Sequence, residues 1–243
     1  MTARERPDLV ERANELTADV WPEYNKHGAV PLRYWPRLNE VFPDFQYVLY
    51  DADADDVMAE GHSLPVAWDG SAEGLPAGID AAMPAAFELH EAAGEATTLC
   101  AMAIEVPPRR QQQGLSRTMV AAMAQIAADH GLGDLIAPVR PNEKERYPLT
   151  PIERYAFWTR DDGLPFDPWM RVHARMGGEI LRPEPRSLYI EGSVGEWEAW
   201  TEMVFPESGE YVFPRGLAPL TIDRGRDVGR YWEPNVWMRH RAA

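Results

Sequence analysis

One turn of this chain has the makings of an anion site. The segment Arg109-Arg110-Gln111-Gln112-Gln113-Gly114-Leu115-Ser116-Arg117 follows an apolar run ending at Val106 and opens a stretch of helical periodicity. The first turn of a helix carries backbone N–H groups with no partner inside the helix, and that end of the dipole is positive. Gly114 lets the backbone approach a ligand closely, and Ser116 is too small to block it. Arg109, Arg110 and Arg117 concentrate positive charge in a chain of net charge −15. Such a turn suits a phosphate or pyrophosphate.

The elements that position the turn can be read outward from it. Thr97 to Val106 is apolar on both faces, which predicts a central buried strand stopped by Pro107-Pro108. Leu115, Met119, Ala122, Met123, Ile126 and Ala127 form one apolar helical stripe, with Gly131 at the C-terminal cap. Leu135 to Val139 is the next strand. This order implies a parallel βαβ unit with a right-handed crossover. Upstream, the pattern predicts a helix over Pro7 to Val20 and a short one over Tyr34 to Val41. Strands over Phe45 to Tyr50 and Val57 to Trp68 follow, then a helix over Ile79 to Ala92. Downstream lies a stretch rich in proline and aromatics. It has a helical segment at Met170 to Met176 and strands at Glu179 to Leu181, Ser187 to Glu191 and Tyr231 to Met238.

A length of 243 residues fits one domain with extensions: helices in 1–44, sheet and binding core in 45–142, an insertion in 143–168 and a C-terminal half in 169–243. The acidic balance argues against nucleic acid or an anionic membrane surface as a partner. No secretory h-region and no apolar run of ~18–20 residues is visible. Cys100 is the single cysteine, which excludes an internal disulfide and a Cys-based zinc site and fits a reducing cytoplasm. Six histidines without H-x-x-x-H or H-x-H spacing give no metal signal. A G-x-G-x-x-G fingerprint, a P-loop lysine and a G-x-S-x-G elbow are all lacking, which sets aside dinucleotide, kinase and hydrolase classes.

The stretch Val106 to Ser116 resembles the acyl-CoA-binding motif of the GNAT superfamily, Gln/Arg-x-x-Gly-x-Gly/Ala. Its positions are Val106, Pro107, Gln111, Gly114 and Ser116, the serine replacing a small apolar residue. The similarity continues through Asn142 and the helix end Val172 to Gly178. It implies a mixed α+β fold whose central sheet splays between two parallel strands, with helices on both faces and a C-terminal extension. It further implies acetyl-CoA or another acyl-CoA as co-substrate, no metal, and a small-molecule amine as acceptor; a homodimer fits the family. Ile104 and Val106 would bind the pantetheine arm by their backbone. Gln111, Gln112, Gln113, Gly114, Leu115 and Ser116 would hold the pyrophosphate, with Arg110, Arg117 or Lys144 on the ribose phosphate and Asn142 beyond the next strand.

Acyl transfer to an amine needs a base for the incoming ammonium and a proton for the departing thiolate. Glu105, next to Val106, is the candidate base. His173 matches the family's tyrosine and is the candidate acid, with Tyr155 and Tyr147 as fallbacks. Glu60 and His62 on the neighbouring strand would line the acceptor side. Trp158 and Phe166 in the insertion, with Trp169 at its end, would shape an apolar pocket. Two other readings keep the same fold: a non-catalytic acyl-CoA sensor, and transfer involving a carrier-protein thioester.

Overall fold

The apolar run before the turn does become a central strand. In the computed structural model, which describes residues 1–111 and 113–241, β3 (Thr98–Glu105) pairs antiparallel with β2 (Asp56–Val66) and parallel with β4 (Asp134–Val139). The crossover between β3 and β4 is α5 (Leu115–Asp129), and its stripe Met119, Met123 and Ala127 is fully buried. Gly131, at φ +71°, follows its C-terminus.

Before this unit come α1 (Asp8–Thr17), α2 (Ala29–Tyr34), α3 (Leu38–Val41), β1 (Gln46–Asp51) and, between β2 and β3, α4 (Ile79–Glu91). After it come α6 (Ile152–Tyr155), α7 (Pro168–Arg175), β5 (Glu179–Gly192), α8 (Val194–Thr201), β6 (Gly209–Tyr211), β7 (Leu220–Asp223) and β8 (Val228–Arg241). The sheet order is β1-β2-β3-β4-β8-β7-β6, with β5 on the other edge of β8. Among the described residues, no helix is long and apolar enough to cross a membrane.

Where the sequence suggested two strands, Glu179 to Leu181 and Ser187 to Glu191, there is one long β5. Its irregularities against β8, between Ile180 and Arg182 and between Glu184 and Leu188, interrupt the apolar pattern. The aromatic C-terminal half forms its own core. Tyr24, Trp197, Phe213 and Tyr231 pack edge-to-face or stacked within about 6.2 Å of one another, with Leu188, Phe205 and Leu220 filling the gaps.

Two features of the sheet create an opening. The β3–β4 pairing holds only for Thr98 to Cys100 against Asp134 to Ile136, after which the strands diverge. Along that edge of β8, β4 pairs with Val236 onward and β7 only as far as Arg230. Among the described residues, 231–235 have no strand beside them there. The splay and this gap are continuous.

Candidate active site

An irregularity in β3 decides which side chains reach the opening. His62 of β2 faces Ala103 while Ser63 faces Ala101, so Met102 is an extra residue. Its effect is visible in the packing. Leu99 and Ala101 pack against α5, and so do Ile104 and Val106, so the side facing α5 changes from odd to even numbers. Cys100 and Met102 face the α2–α4 side. Beyond the bulge Glu105 therefore points to that side too, away from α5.

Glu105 lies directly opposite Glu60, and both are buried. Two carboxylates in register cannot both ionise cheaply in a dry site. Burial is the largest influence on Glu105 and, with the Glu60 charge, lifts it to about 7, while the Trp21 indole N–H donates to its carboxylate and opposes the rise. Glu60 is held low by His62 and by the Thr17 hydroxyl, against its own burial. The pair thus keeps one proton to near neutrality, mostly on Glu105.

His62 is oriented from behind. The Gln46 amide nitrogen donates to the Phe42 and Ser63 carbonyls at 3.0 and 2.8 Å, so its oxygen faces His62 Nδ1 at 3.0 Å and must accept. His62 Nε2 is then left to face Glu60 at 3.4 Å. Donor atoms of Glu60, His62 and Glu105 lie within 4.8 Å of one another, close enough to share a proton or a cation. Sequence spacing did not reveal this trio, because Glu105 joins it only across the sheet.

These groups line a cavity of about 1040 Å³ that runs from the turn at Gly114 through the splay to the α1–α2 side. The sequence candidates Ile104, Glu105, Val106, Arg110, Gln111, Gly114, Leu115, Ser116, Arg117, Asn142 and His173 all border it. Gly114, at φ +77° and ψ 1°, is the N-cap of α5, and no side chain caps this end. A Cβ there would meet nothing within 4 Å, so its glycine answers the left-handed backbone, not crowding. Arg110 is ion-paired with Asp56, and the Gln111 amide donates to the Val106 carbonyl at 3.3 Å.

Other candidates stand elsewhere. Gln112 lies outside the described residues, and Gln113 is exposed and does not border the cavity. Tyr155 is not at the cavity: its hydroxyl donates to Asp167 at 3.0 Å, and burial with that carboxylate pushes its pKa up, so it is a packing residue. Lys144 is buried and donates to the carbonyls of Tyr147 and Leu217 at 2.8 and 2.5 Å, so it cannot reach a ribose phosphate; burial lowers it to about 8. Tyr147, Trp158 and Phe166 pack with Tyr155 in an aromatic cluster behind the wall; of Trp158, Phe166 and Trp169, only Trp169 borders the cavity. His173 does border it, but burial drives its pKa down to about 3. It is a neutral imidazole at physiological pH and not the ready acid its sequence position suggested.

The wall opposite Glu105 was not foreseen. Glu233 on β8 is ion-paired with Arg140, which also donates to the Tyr24 hydroxyl at 3.0 Å and to the Arg215 carbonyl at 2.7 Å. Tyr231 donates to the same carboxylate. Two residues on, the buried Asn235 borders the cavity, and its amide oxygen has no hydrogen-bond partner among the described residues. This wall therefore holds a carboxylate already paired with Arg140 and a buried amide oxygen without a partner.

The same architecture occurs in solved structures. The loading GNATL domain of CurA from Lyngbya majuscula superposes over 100% of this chain and 95% of its own at a TM-score of 0.60 and 16% identity. The chain is a GNAT-fold protein. The GphF GNAT-like decarboxylase in complex with isobutyryl-CoA aligns over 98% of this chain and 97% of its own, at a TM-score of 0.59 and 15% identity. In sequence, the chain is 29% identical over 269 residues to the arginine N-acetyltransferase avaD of Aspergillus versicolor, covering 98% of this chain and 92% of that protein. No protein-family model matches. The GNAT fold accounts for the splay between β3 and β4. α4 lies between β2 and β3, and ahead of α1 Thr2 forms an isolated bridge with Tyr47.

Proposed function

We propose that this protein transfers an acetyl or other short acyl group from acyl-CoA to an amine of a cationic small molecule, with arginine or an arginine-like compound as the first candidate. The observation that carries the reading is Glu105: a buried carboxyl with a pKa of about 7, at the splay, in a cavity that begins at an uncapped helix N-terminus. The likeness to the arginine N-acetyltransferase agrees with the two buried carboxyls, Glu60 and Glu105, on the cavity wall.

In this reading Gly114 to Ser116 present backbone N–H groups to the pyrophosphate, and Arg117 adds charge. The diverging edges at Ile104 to Val106 and at Val139 hold the arm. Glu105 takes a proton from the incoming ammonium; the freed nitrogen attacks the thioester carbon, the C–S bond breaks and the thiolate is protonated from solvent. A base near pH 7 matches that task. The Glu60 carboxylate, oriented by His62, holds the cation beside it.

The test combines binding and turnover. A thermal-shift series with acetyl-CoA and longer acyl-CoAs should show stabilisation, roughly 2.7 kcal/mol at 100 times the dissociation constant. Thiol release with arginine, agmatine or lysine should follow, with a product heavier by the acyl group. Stabilisation without release from any amine would favour a sensor, and no stabilisation would overturn the reading.

A further inference from the structure

Glu60, His62 and Glu105 share a proton in the mechanism above, but their donor atoms also meet the demands of a metal site. Each residue offers one nitrogen or oxygen, and these three atoms lie within 4.8 Å of one another. All three side chains are buried, and all three residues border the cavity. Glu60 stands directly opposite Glu105, and His62 is two residues along the same face of β2. Paired strands, not a loop, therefore set their spacing.

The state of His62 is fixed from its far side. Gln46 donates its amide N–H groups to the Phe42 and Ser63 carbonyls, so its oxygen takes the proton of His62 Nδ1. A neutral His62 then presents the lone pair of Nε2. That lone pair faces Glu60 Oε2 at 3.4 Å, which is long for a hydrogen bond. Two electron-rich atoms so placed repel unless a cation stands between them. Two donors bound to one tetrahedral zinc at about 2.0–2.1 Å are roughly 3.3 Å apart, close to the spacing found. A histidine held at its second nitrogen by a carbonyl oxygen is also the usual support of a metal ligand. Each carboxylate is held in the same manner at one oxygen, Glu60 Oε1 by Thr17 and Glu105 Oε1 by the Trp21 indole. The unpartnered polar atoms that are sealed from solvent lie elsewhere among the described residues; none belongs to this trio.

One imidazole and two carboxylates suit an ion such as zinc, whereas magnesium and calcium favour shells made of oxygen alone. Three protein donors leave a fourth position for water. We propose that Glu60, His62 and Glu105 bind one divalent transition-metal ion of the zinc class, which displaces the proton held by the carboxylates and excludes the amine. The ion enters as that proton leaves to solvent, and His62 keeps its proton on Nδ1. A carboxylate bound to the metal cannot take a proton from an incoming ammonium, so the loaded protein is inactive; the metal-free protein follows the reaction described above. The site stands on its own geometry, and only the exclusion of the amine rests on the acyl-CoA reading.

Zn²⁺ titrated into the unaltered protein without CoA or amine should bind at one equivalent and release about one proton per ion, read by calorimetry in two buffers. Co²⁺ should give the intense visible bands of a four-coordinate site, and Mg²⁺ should give no heat. Gln46→Leu, which frees the His62 proton to move to Nε2, should weaken Zn²⁺ binding about 10- to 100-fold. His62→Phe and Glu105→Gln, which remove donors outright, should weaken it further. In turnover followed by product mass, Zn²⁺ should compete with arginine and not with acetyl-CoA. No binding by the unaltered protein, or an affinity unchanged in both His62→Phe and Glu105→Gln, would overturn the metal site, the second result marking an adventitious surface ion only. Binding through these residues that leaves turnover untouched would overturn the exclusion of the amine. A protein that turns over no amine would sink the acyl-transfer reading, while the calorimetry and the Co²⁺ spectrum still decide the metal site. If Gln46→Leu does not fold, the unaltered protein and His62→Phe decide it.

Discussion

Glu60 and Glu105 stand face to face across β2 and β3, buried, with Trp21 and Thr17 from the N-terminal segment each donating to one of them. The arrangement makes Glu105 a carboxyl that changes charge near neutrality, and most of the expected behaviour follows from that.

Glu105→Gln should lower kcat by about 10²–10⁴ while leaving KM for acetyl-CoA nearly unchanged. The base works deprotonated, so kcat/KM of the native protein should climb through about pH 7 and level off above it. The variant should lose that acid limb. A full pH profile of both proteins checks this.

The same substitution should have a stability signature. Glu105 binds its proton more tightly folded, at about 7, than at its ordinary value of 4.5. Its contribution is therefore fully present below the unfolded pKa and is lost as pH rises toward 7. Relative to the native protein, Glu105→Gln should gain stability on going from pH 5 to pH 8, as read by denaturant midpoints.

Trp21→Phe removes the indole N–H that favours the charged form of Glu105. The acid limb should move to higher pH, with the plateau rate less affected. A limb that stays in place would mean that Trp21 only packs.

Gly114→Ala forces a side chain into the left-handed region, at a cost of roughly 1–2 kcal/mol. Stability should fall by about that amount, and KM for acetyl-CoA should rise because the turn's N–H groups lose their aim. Calorimetry and initial rates measure the two separately.

Arg140→Met leaves Glu233 buried without its cation, and such truncations cost about 3–5 kcal/mol. Adding Glu233→Gln should recover part of the loss, which chemical denaturation of the single and double variants would reveal.

The βαβ unit and its turn were legible because local signals agreed: apolar runs of the right length, a glycine at the helix start and another at its end. The base candidate was legible for the same reason, being adjacent in sequence to the turn. What could not be read depended on pairing across the sheet. The bulge at Met102 leaves no compositional trace, yet it decides the face on which Glu105 lies. Glu233 and Asn235 reach the cavity only because β4 and β7 leave part of β8 uncovered. His173 looked like an ordinary histidine until burial beside His240 showed that it stays neutral. Trp158, Phe166 and Trp169 read as a pocket wall because ring count cannot separate a lining from a core; of these three, Trp169 alone borders the cavity.

The opening between β3 and β4 passes through the plane of the sheet, with the turn at Gly114 and α7 bordering it on one face and α1, α2 and the carboxylates on the other. Two reactants approaching from opposite faces do not obstruct each other, so neither must leave before the other arrives. The one thiol that could store an acyl group between them, Cys100, is fully buried with its pKa driven up, and it lies away from the cavity. Such a plan favours a ternary complex and direct transfer, with intersecting double-reciprocal lines in place of parallel ones.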